Sequence, residues 1–257
     1  MSTASRRPDP TRTQTALRAQ WQALRTYVGG LQPADLAAPS SLPGWTVADL
    51  VAHIADGVAA LTERLSHPPP DRVQTNIVEW ARRCAPQAPR LADDARELAA
   101  RGDSRELLTV AVARAESALD QVVNPQRVLW SPVGGFRLTD YLVTRVIEAV
   151  VHADDLDPKF PHDRSALGVC VRALADILAA IVPGSSVELR IPPFAAVQCV
   201  PGPRHTRGTP PGVVEVDPLT WVRLATGRAR WSEAAAEGRL RASGERTDLS
   251  RFLPVLA

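Results

Sequence analysis

The sequence predicts an α+β protein, with an antiparallel four-helix bundle over residues 1–160 and a small mixed α/β domain over residues 161–257. Two observations carry that division. In the first part, apolar residues recur at helical spacing. From Ser165 onward, short β-type runs alternate with helices. A third observation is size: 257 residues suffice for two compact domains, and 45% apolar content supports a real core.

Along the first part, Ala16, Leu17, Trp21, Leu24 and Val28 place a helix over residues 13–28, closed by Gly29-Gly30. A loop rich in Pro, Ala and Ser leads to Pro43-Gly44-Trp45. Thr46 followed by Asp49 forms a capping-box-like start for the next helix, with Asp in place of the usual Glu. Its stripe of Val47, Leu50, Val51, Ile54, Val58 and Leu61 predicts a buried face with His53 at the edge. The helix runs to about Leu65 and stops at Pro68-Pro69-Pro70. A further helix is expected from about Asp71, broken by Pro86 and Pro89, with a segment continuing to Ala100. Ser104 is expected to cap a helix reaching Val123, and residues 124–135 to form a small hairpin or an ordered loop. Thr139 is expected to cap a helix that ends before Pro158.

The second part opens with a helix over 166–181, stopped by Pro183-Gly184. Val187–Ile191, 195–200 and 213–216 read as strands, the first two separated by Pro192-Pro193. A loop rich in Pro, Gly and Arg covers 201–212. Asp217-Pro218 opens a helix with Pro at the first helical position. The segments Trp231–Gly238 and Arg239–Gly244 and a last helix over 248–253 complete the chain. Trp221 and Trp231 are expected in the core of this domain.

Charge and cysteine content narrow the class of function. Thirty basic residues against twenty-eight acidic ones leave a net charge of +2, without the basic excess of a nucleic-acid binder. Cys84, Cys170 and Cys199 are too few and too far apart for a disulfide framework or a Cys-x-x-Cys motif, and are expected to pack as small apolar groups. No apolar run is long enough to span a bilayer, and the first residues lack the apolar core of a signal peptide. Both point to a cytoplasmic protein.

The chemistry concentrates in Arg145-Val-Ile-Glu148-Ala-Val-Val-His152-Ala-Asp-Asp155-Leu. On a helix, Glu148 and His152 lie four residues apart on one face. A carboxylate and an imidazole one turn apart suit a transition-metal ion such as zinc, and equally make an ordinary helical pair. The segment Pro43-Gly-Trp45-Thr…His53-Ile-Ala-Asp56 offers a third possible ligand, His53, from another helix. His67, His162 and His205 fall in loops and read as exposed.

These two segments together, in this order, resemble the mycothiol-dependent maleylpyruvate isomerase family, within the DinB-like group of metal-binding four-helix bundles. The strand and helix succession after residue 161 is similar to a sterol-carrier-like domain, so the resemblance covers nearly the whole chain. It implies His53, Glu148 and His152 as metal ligands, zinc or another divalent ion as the metal, and mycothiol as the thiol cofactor. It also implies an arginine of the C-terminal domain, for which Arg190 and Arg223 are the candidates. Three protein ligands leave an open position, as in catalytic rather than structural zinc sites. A thiol entering that position is deprotonated and becomes a nucleophile.

Asp56 and Asp155 are placed to orient the ligand imidazoles or to be solvated helix residues. Arg145 could hold an acidic group of substrate or thiol, or make a structural salt bridge. Trp45 could line the mouth of the site or pack the end of the bundle. The resulting expectation is a metal- and mycothiol-dependent isomerase or S-transferase acting on a small electrophilic metabolite. The competing reading is a non-enzymatic carrier of lipid or another hydrophobic ligand.

Overall fold

The computed structural model describes residues 7–84, 86, 88–202 and 212–256. The chain divides into two compact units. One is built from Pro8–Ile77 and Pro86–Ala166, the other mainly from Leu167–Ala257 with Val78–Ala85.

In the first unit the long helices are α1 (Pro10–Gly29), α3 (Val47–Ser66), α6 (Ser104–Asp120) and α7 (Leu138–Leu156), with the short α2 (Pro33–Ala37) and α5 (Ala88–Ala100) between them. Helix α3 packs on α5, α6 and α7, while α1 packs on α6 and α7. Leu17, Trp21, Leu24, Leu50, Leu61, Leu108 and Ile147 fill the interior. The apolar period of 3.6 residues that predicts each helix also supplies the face it buries.

Helix α1 starts earlier than its apolar stripe, because the Asp9 side chain accepts the Arg12 N–H at 2.8 Å and Pro10 fits the first turn. The capping box at α3 forms as read from the sequence: Thr46 Oγ1 accepts the Asp49 N–H, and Asp49 Oδ2 accepts the Thr46 N–H. Helix α2 was hidden in the Pro/Ala/Ser stretch, and its own box pairs Gln32 with Asp35. Pro89 lies in the first turn of α5, where its missing N–H is harmless, and so does not break that helix.

Two caps differ from expectation. Asp103, not Ser104, caps α6, accepting the Arg105 N–H at 2.9 Å. Thr139 lies inside α7, whose cap position is Arg137. The reason is a two-residue hairpin of β1 (Val128–Leu129) and β2 (Phe136–Arg137), which runs straight into the helix. The Leu138 N–H is satisfied by Arg127 O at 2.8 Å, so no side-chain cap is needed there. Gly135 O accepts the N–H groups of Gln74 and Thr75. A side chain at Gly135 would meet Arg72 O at 2.2 Å, so only glycine admits this close approach. Residues 71–76 are therefore committed to the hairpin, and α4 (Ile77–Cys84) begins at Ile77 rather than near Asp71.

The second unit carries a four-stranded sheet in the order β4-β3-β5-β6, with β3 (Val187–Ile191), β4 (Ala195–Cys199), β5 (Gly212–Val216) and β6 (Leu240–Gly244). The β3–β5 pair is parallel and the other two are antiparallel. Strand β3 alternates strictly between buried and half-buried positions. Helices α8 (Arg164–Ile181), α9 (Pro218–Ala225) and α10 (Trp231–Ala236) complete the unit. Trp221 is fully buried and its indole N–H donates to Val171 O at 3.3 Å, tying α9 to α8. Trp231 is only half-buried, because it opens α10. The last helix expected from the sequence is a single 3-10 turn, Ser250–Phe252. Residues 203–211 of the Pro-rich loop, with His205, lie outside the described residues. Among the described residues no helix is long and apolar enough to cross a membrane.

Candidate functional site

Helix α7 is buried along most of its length, so its polar residues have few places to go. Arg145, Glu148 and His152, spaced three and four apart, share one face. Helix α3 turns His53 and Gly57 toward that same face, and the two helices enclose a cavity lined by Trp21, His53, Gly57, Arg145, Glu148 and His152 among others. Its water-accessible interior is about 10 Å³, the room of roughly one water molecule. The three side chains expected as ligands thus line one cavity.

The two imidazoles stand edge to face, with centroids 4.8 Å apart and planes at 86°. On the other side, His53 meets the Trp45 ring edge to face at 5.5 Å. His152 Nδ1 lies 3.0 Å from Asp155 Oδ2, and the Asp155 side chain is only 2% exposed. With Nδ1–H donated to that carboxylate, Nε2 keeps the lone pair. Asp155 is itself held: its backbone carbonyl accepts the Ser41 hydroxyl at 2.7 Å.

Glu148 is engaged differently. Its Oε1 accepts a hydrogen bond from Arg145 Nη2 at 2.6 Å. Arg145 is buried, with Nη1 donating to Gly57 O and Nε to Thr144 Oγ1, both at 3.3 Å. Tyr141 lies between two guanidinium groups, those of Arg64 and Arg145, whose carbons are 4.9 and 4.8 Å from its ring centroid. The Tyr141 hydroxyl also accepts from Arg64 Nη1. Burial pushes the phenol pKa up, and the two arginines pull against that shift. Of the two roles open to Arg145 in the sequence, the structure shows the salt bridge.

Two imidazoles and a carboxylate are the donor chemistry of a zinc site, and all three line one cavity. Among the described residues, however, no group of three His, Cys, Asp or Glu side chains is arranged to hold a metal ion. The imidazoles are side by side, and the carboxylate is turned to Arg145. The residues therefore match a metal site in kind, while their arrangement, with Glu148 set on its arginine, does not form a three-ligand set.

The remaining expected site residues are dispersed. Asp56 is exposed and outside the cavity lining. Desolvation by the surrounding protein raises its carboxyl pKa although the side chain keeps a solvent-exposed surface, Asp94 adds to the shift and Arg64 opposes it. Arg190 and Arg223 belong to the second unit, on β3 and α9. Arg190 pairs with Glu188 at 2.5 Å. Cys170 and Cys199 are buried with raised thiol pKa values, as expected of packing groups. His162, read as exposed, is half-buried, and its Nδ1 lies 3.2 Å from Gln20 Nε2.

Sequence reasoning passed over Gly57, Tyr141 and Gln20. Gly57 carried a signal, because glycine in a helix interior needs a packing or functional reason. Gln20 carried none, since one amide on an apolar face looks like a boundary residue.

Comparison with known proteins agrees with this architecture. Residues 17–157, more than half of the chain, match the family model described as the mycothiol maleylpyruvate isomerase N-terminal domain. Residues 163–255 match the model described as a bacterial SCP ortholog. No curated protein matches the chain. Among solved structures, a mycothiol-dependent maleylpyruvate isomerase is similar over 93% of this chain and 95% of its own, with a TM-score of 0.59 at 20% identity. A histidine-to-alanine variant of such an isomerase is similar over the same shares, with a TM-score of 0.57 at 21% identity. At those identities the likeness shows the fold, and the longer family match shows the kinship: the chain belongs to the mycothiol maleylpyruvate isomerase N-terminal domain family and carries a bacterial SCP-type module behind it.

Proposed function

We propose that the protein is a mycothiol-dependent isomerase of a small electrophilic metabolite of the maleylpyruvate kind, with a divalent metal, zinc by donor type, held by His53, Glu148 and His152. The observation that carries this reading is the convergence of those three side chains on one cavity in a chain of that family. The metal would supply Lewis acidity and lower the pKa of a bound thiol. The protein's own contribution is orientation. Asp155 fixes the His152 ring and leaves Nε2 facing the cavity, while Trp45 backs His53. The buried Arg145 adds positive charge beside the cavity, which favours an anionic thiolate or a carboxylate-bearing substrate.

The test is metal content by elemental analysis of wild type and His152→Ala purified without chelators, followed by a mycothiol-dependent isomerisation assay. About one equivalent of zinc in the wild type, lost in the variant together with turnover, is the expected result. A wild type that takes up no added zinc overturns the metal reading. Metal-loaded protein that turns over no maleylpyruvate-like substrate with mycothiol overturns the isomerase reading. In that case thiol transfer and hydrophobic-ligand binding are the next assays.

A further inference from the structure

The bundle holds a second cleft, between α3 and α6, that shares no lining residue with the histidine cavity. Its volume is about 600 Å³, inside the range of about 300–1,000 Å³ of small-molecule sites. We infer that this cleft binds a small polyhydroxylated anion, a sugar-like molecule carrying one phosphate or carboxylate group, through Arg114 and Arg127. The space exists because α6 turns the small side chains Ala113, Ser117 and Ala118 toward Thr62 and Ser66 of α3. The polar lining consists of two guanidinium groups, three hydroxyls and the Gln121 amide, with no carboxylate. The acids of α6 face elsewhere. Glu116 accepts from Gln22 Nε2 at 3.0 Å and Asp120 pairs with Arg18 at 2.6 Å, both partners on α1.

Arg18, Arg90, Arg96, Arg101, Arg105 and Arg145 of the same unit each meet a carboxylate. Among the described residues, Arg114 and Arg127 do not, so their two charges set a positive potential in one cleft. Arg127 is also anchored. Its Nη2 donates to Leu65 O at 2.9 Å and to His67 O at 2.7 Å, closing carbonyls at the C-terminal end of α3. Nη1 makes no hydrogen bond to a described residue, and Nε is buried without a partner. A guanidinium held at one edge, with N–H groups to spare, loses little side-chain freedom when an anion arrives. Thr62 Oγ1 is likewise buried without a partner, so two groups of the wall have hydrogen-bonding capacity left over. Arg114, Ser117 and Gln121 follow one another at three and four residues, and Thr62 and Ser66 at four, which gives one polar row on each side. Hydroxyls and an amide both donate and accept, and so match a ligand with several hydroxyls.

The experiment titrates the full-length protein by calorimetry with glucose 6-phosphate and with gluconate, and with glucose and inorganic phosphate as the separate halves. At least one of the two anionic sugars is expected to bind with a dissociation constant of about 1 mM or tighter, and which one binds separates phosphate from carboxylate recognition. Glucose and phosphate alone should each bind at least about 10-fold more weakly. Arg114→Gln, at an exposed position, should weaken binding about 10-fold with the thermal midpoint unchanged. Ser117→Trp, which fills the cleft from an exposed position, should abolish binding. Arg127→Gln should weaken it as well; if that variant fails to fold because the α3 carbonyls lose their donor, the other two decide. His152→Ala should bind as wild type does, since the two cavities share no residue. Binding of neither anionic sugar overturns the inference, as does binding left unchanged by both Arg114→Gln and Ser117→Trp. Inorganic phosphate bound as tightly as glucose 6-phosphate overturns recognition of the hydroxyls. Binding lost in His152→Ala puts the ligand in the histidine cavity and overturns the assignment to this cleft.

Discussion

In the bundle, Gln20, Thr144, Arg145, Asp154 and Asp155 are buried beside the apolar core, whereas in the sheet-bearing unit the buried polar side chains are Ser186, Thr220 and Thr226. Two of those hydroxyls bond backbone carbonyls. Ser186 Oγ donates to Val200 O at 2.6 Å, and Thr226 Oγ1 to Val222 O at 2.7 Å. Among the described residues, the buried charged side chains all lie on α7. Burying a charge is costly unless it is paired and hydrogen-bonded, and each additional charge multiplies the geometric demands on its neighbours. Of the three on α7, Arg145 lines the cavity and Asp155 bonds the His152 that lines it. The hydroxyls of the sheet unit close backbone groups, and its large side chains fill space.

Substitutions that should affect one interior and not the other test that contrast. The largest expected effect is Trp221→Ala, which removes a fully buried indole. It should destabilise the protein by about 3–5 kcal/mol in denaturant unfolding, while zinc uptake at native conditions stays at the wild-type level. A parallel loss of zinc affinity in the folded variant would break the division of labour.

Asp155→Asn is the converse. It keeps the shape beside His152 but removes the charge that orients the imidazole, and zinc affinity should fall by about 10- to 100-fold with little change in the melting of the apoprotein. Unchanged affinity would mean that the His152–Asp155 contact is structural only.

The smallest effect is a pH dependence in the sheet unit. Burial pushes the Cys199 thiol from 9.0 up to about 11. An unfolded chain releases that proton near 9, the folded one only near 11, so in this window the unfolded state binds fewer protons. Stability should therefore be fully present below pH 9 and decline as pH rises toward 11. Urea unfolding of wild type and Cys199→Ala between pH 8 and 10.5, within about the first 1.5 units above the ordinary thiol value, checks this. The variant should show the shallower decline.

The expectations that survived rest on local physics. Helical periodicity located α1, α3, α6 and α7 to within a few residues, and Thr46 with Asp49 marked the start of α3 correctly. The i, i+3 and i, i+4 relations among Arg145, Glu148, His152 and Asp155 are properties of one helix. Two of the resulting contacts, Arg145–Glu148 and His152–Asp155, are present. The caps at Ser104 and Thr139 went astray because a hydroxyl near a helix start competes with a better-placed carboxylate at Asp103 or with a backbone carbonyl at Arg127. Pattern alone does not rank those partners.

The sequence by itself therefore determined the long helices α1, α3, α6 and α7, the strands β3, β4 and β5, and which residues share a helix face, since each depends on neighbours a few positions away. The tertiary structure decided which faces meet. It brought His53 of α3 against His152 of α7 and set Gly57 of α3 beside the Glu148 carboxylate, where a Cβ would stand 3.2 Å from Oε2. Those outcomes depend on distances across the bundle, set by how all its side chains pack at once.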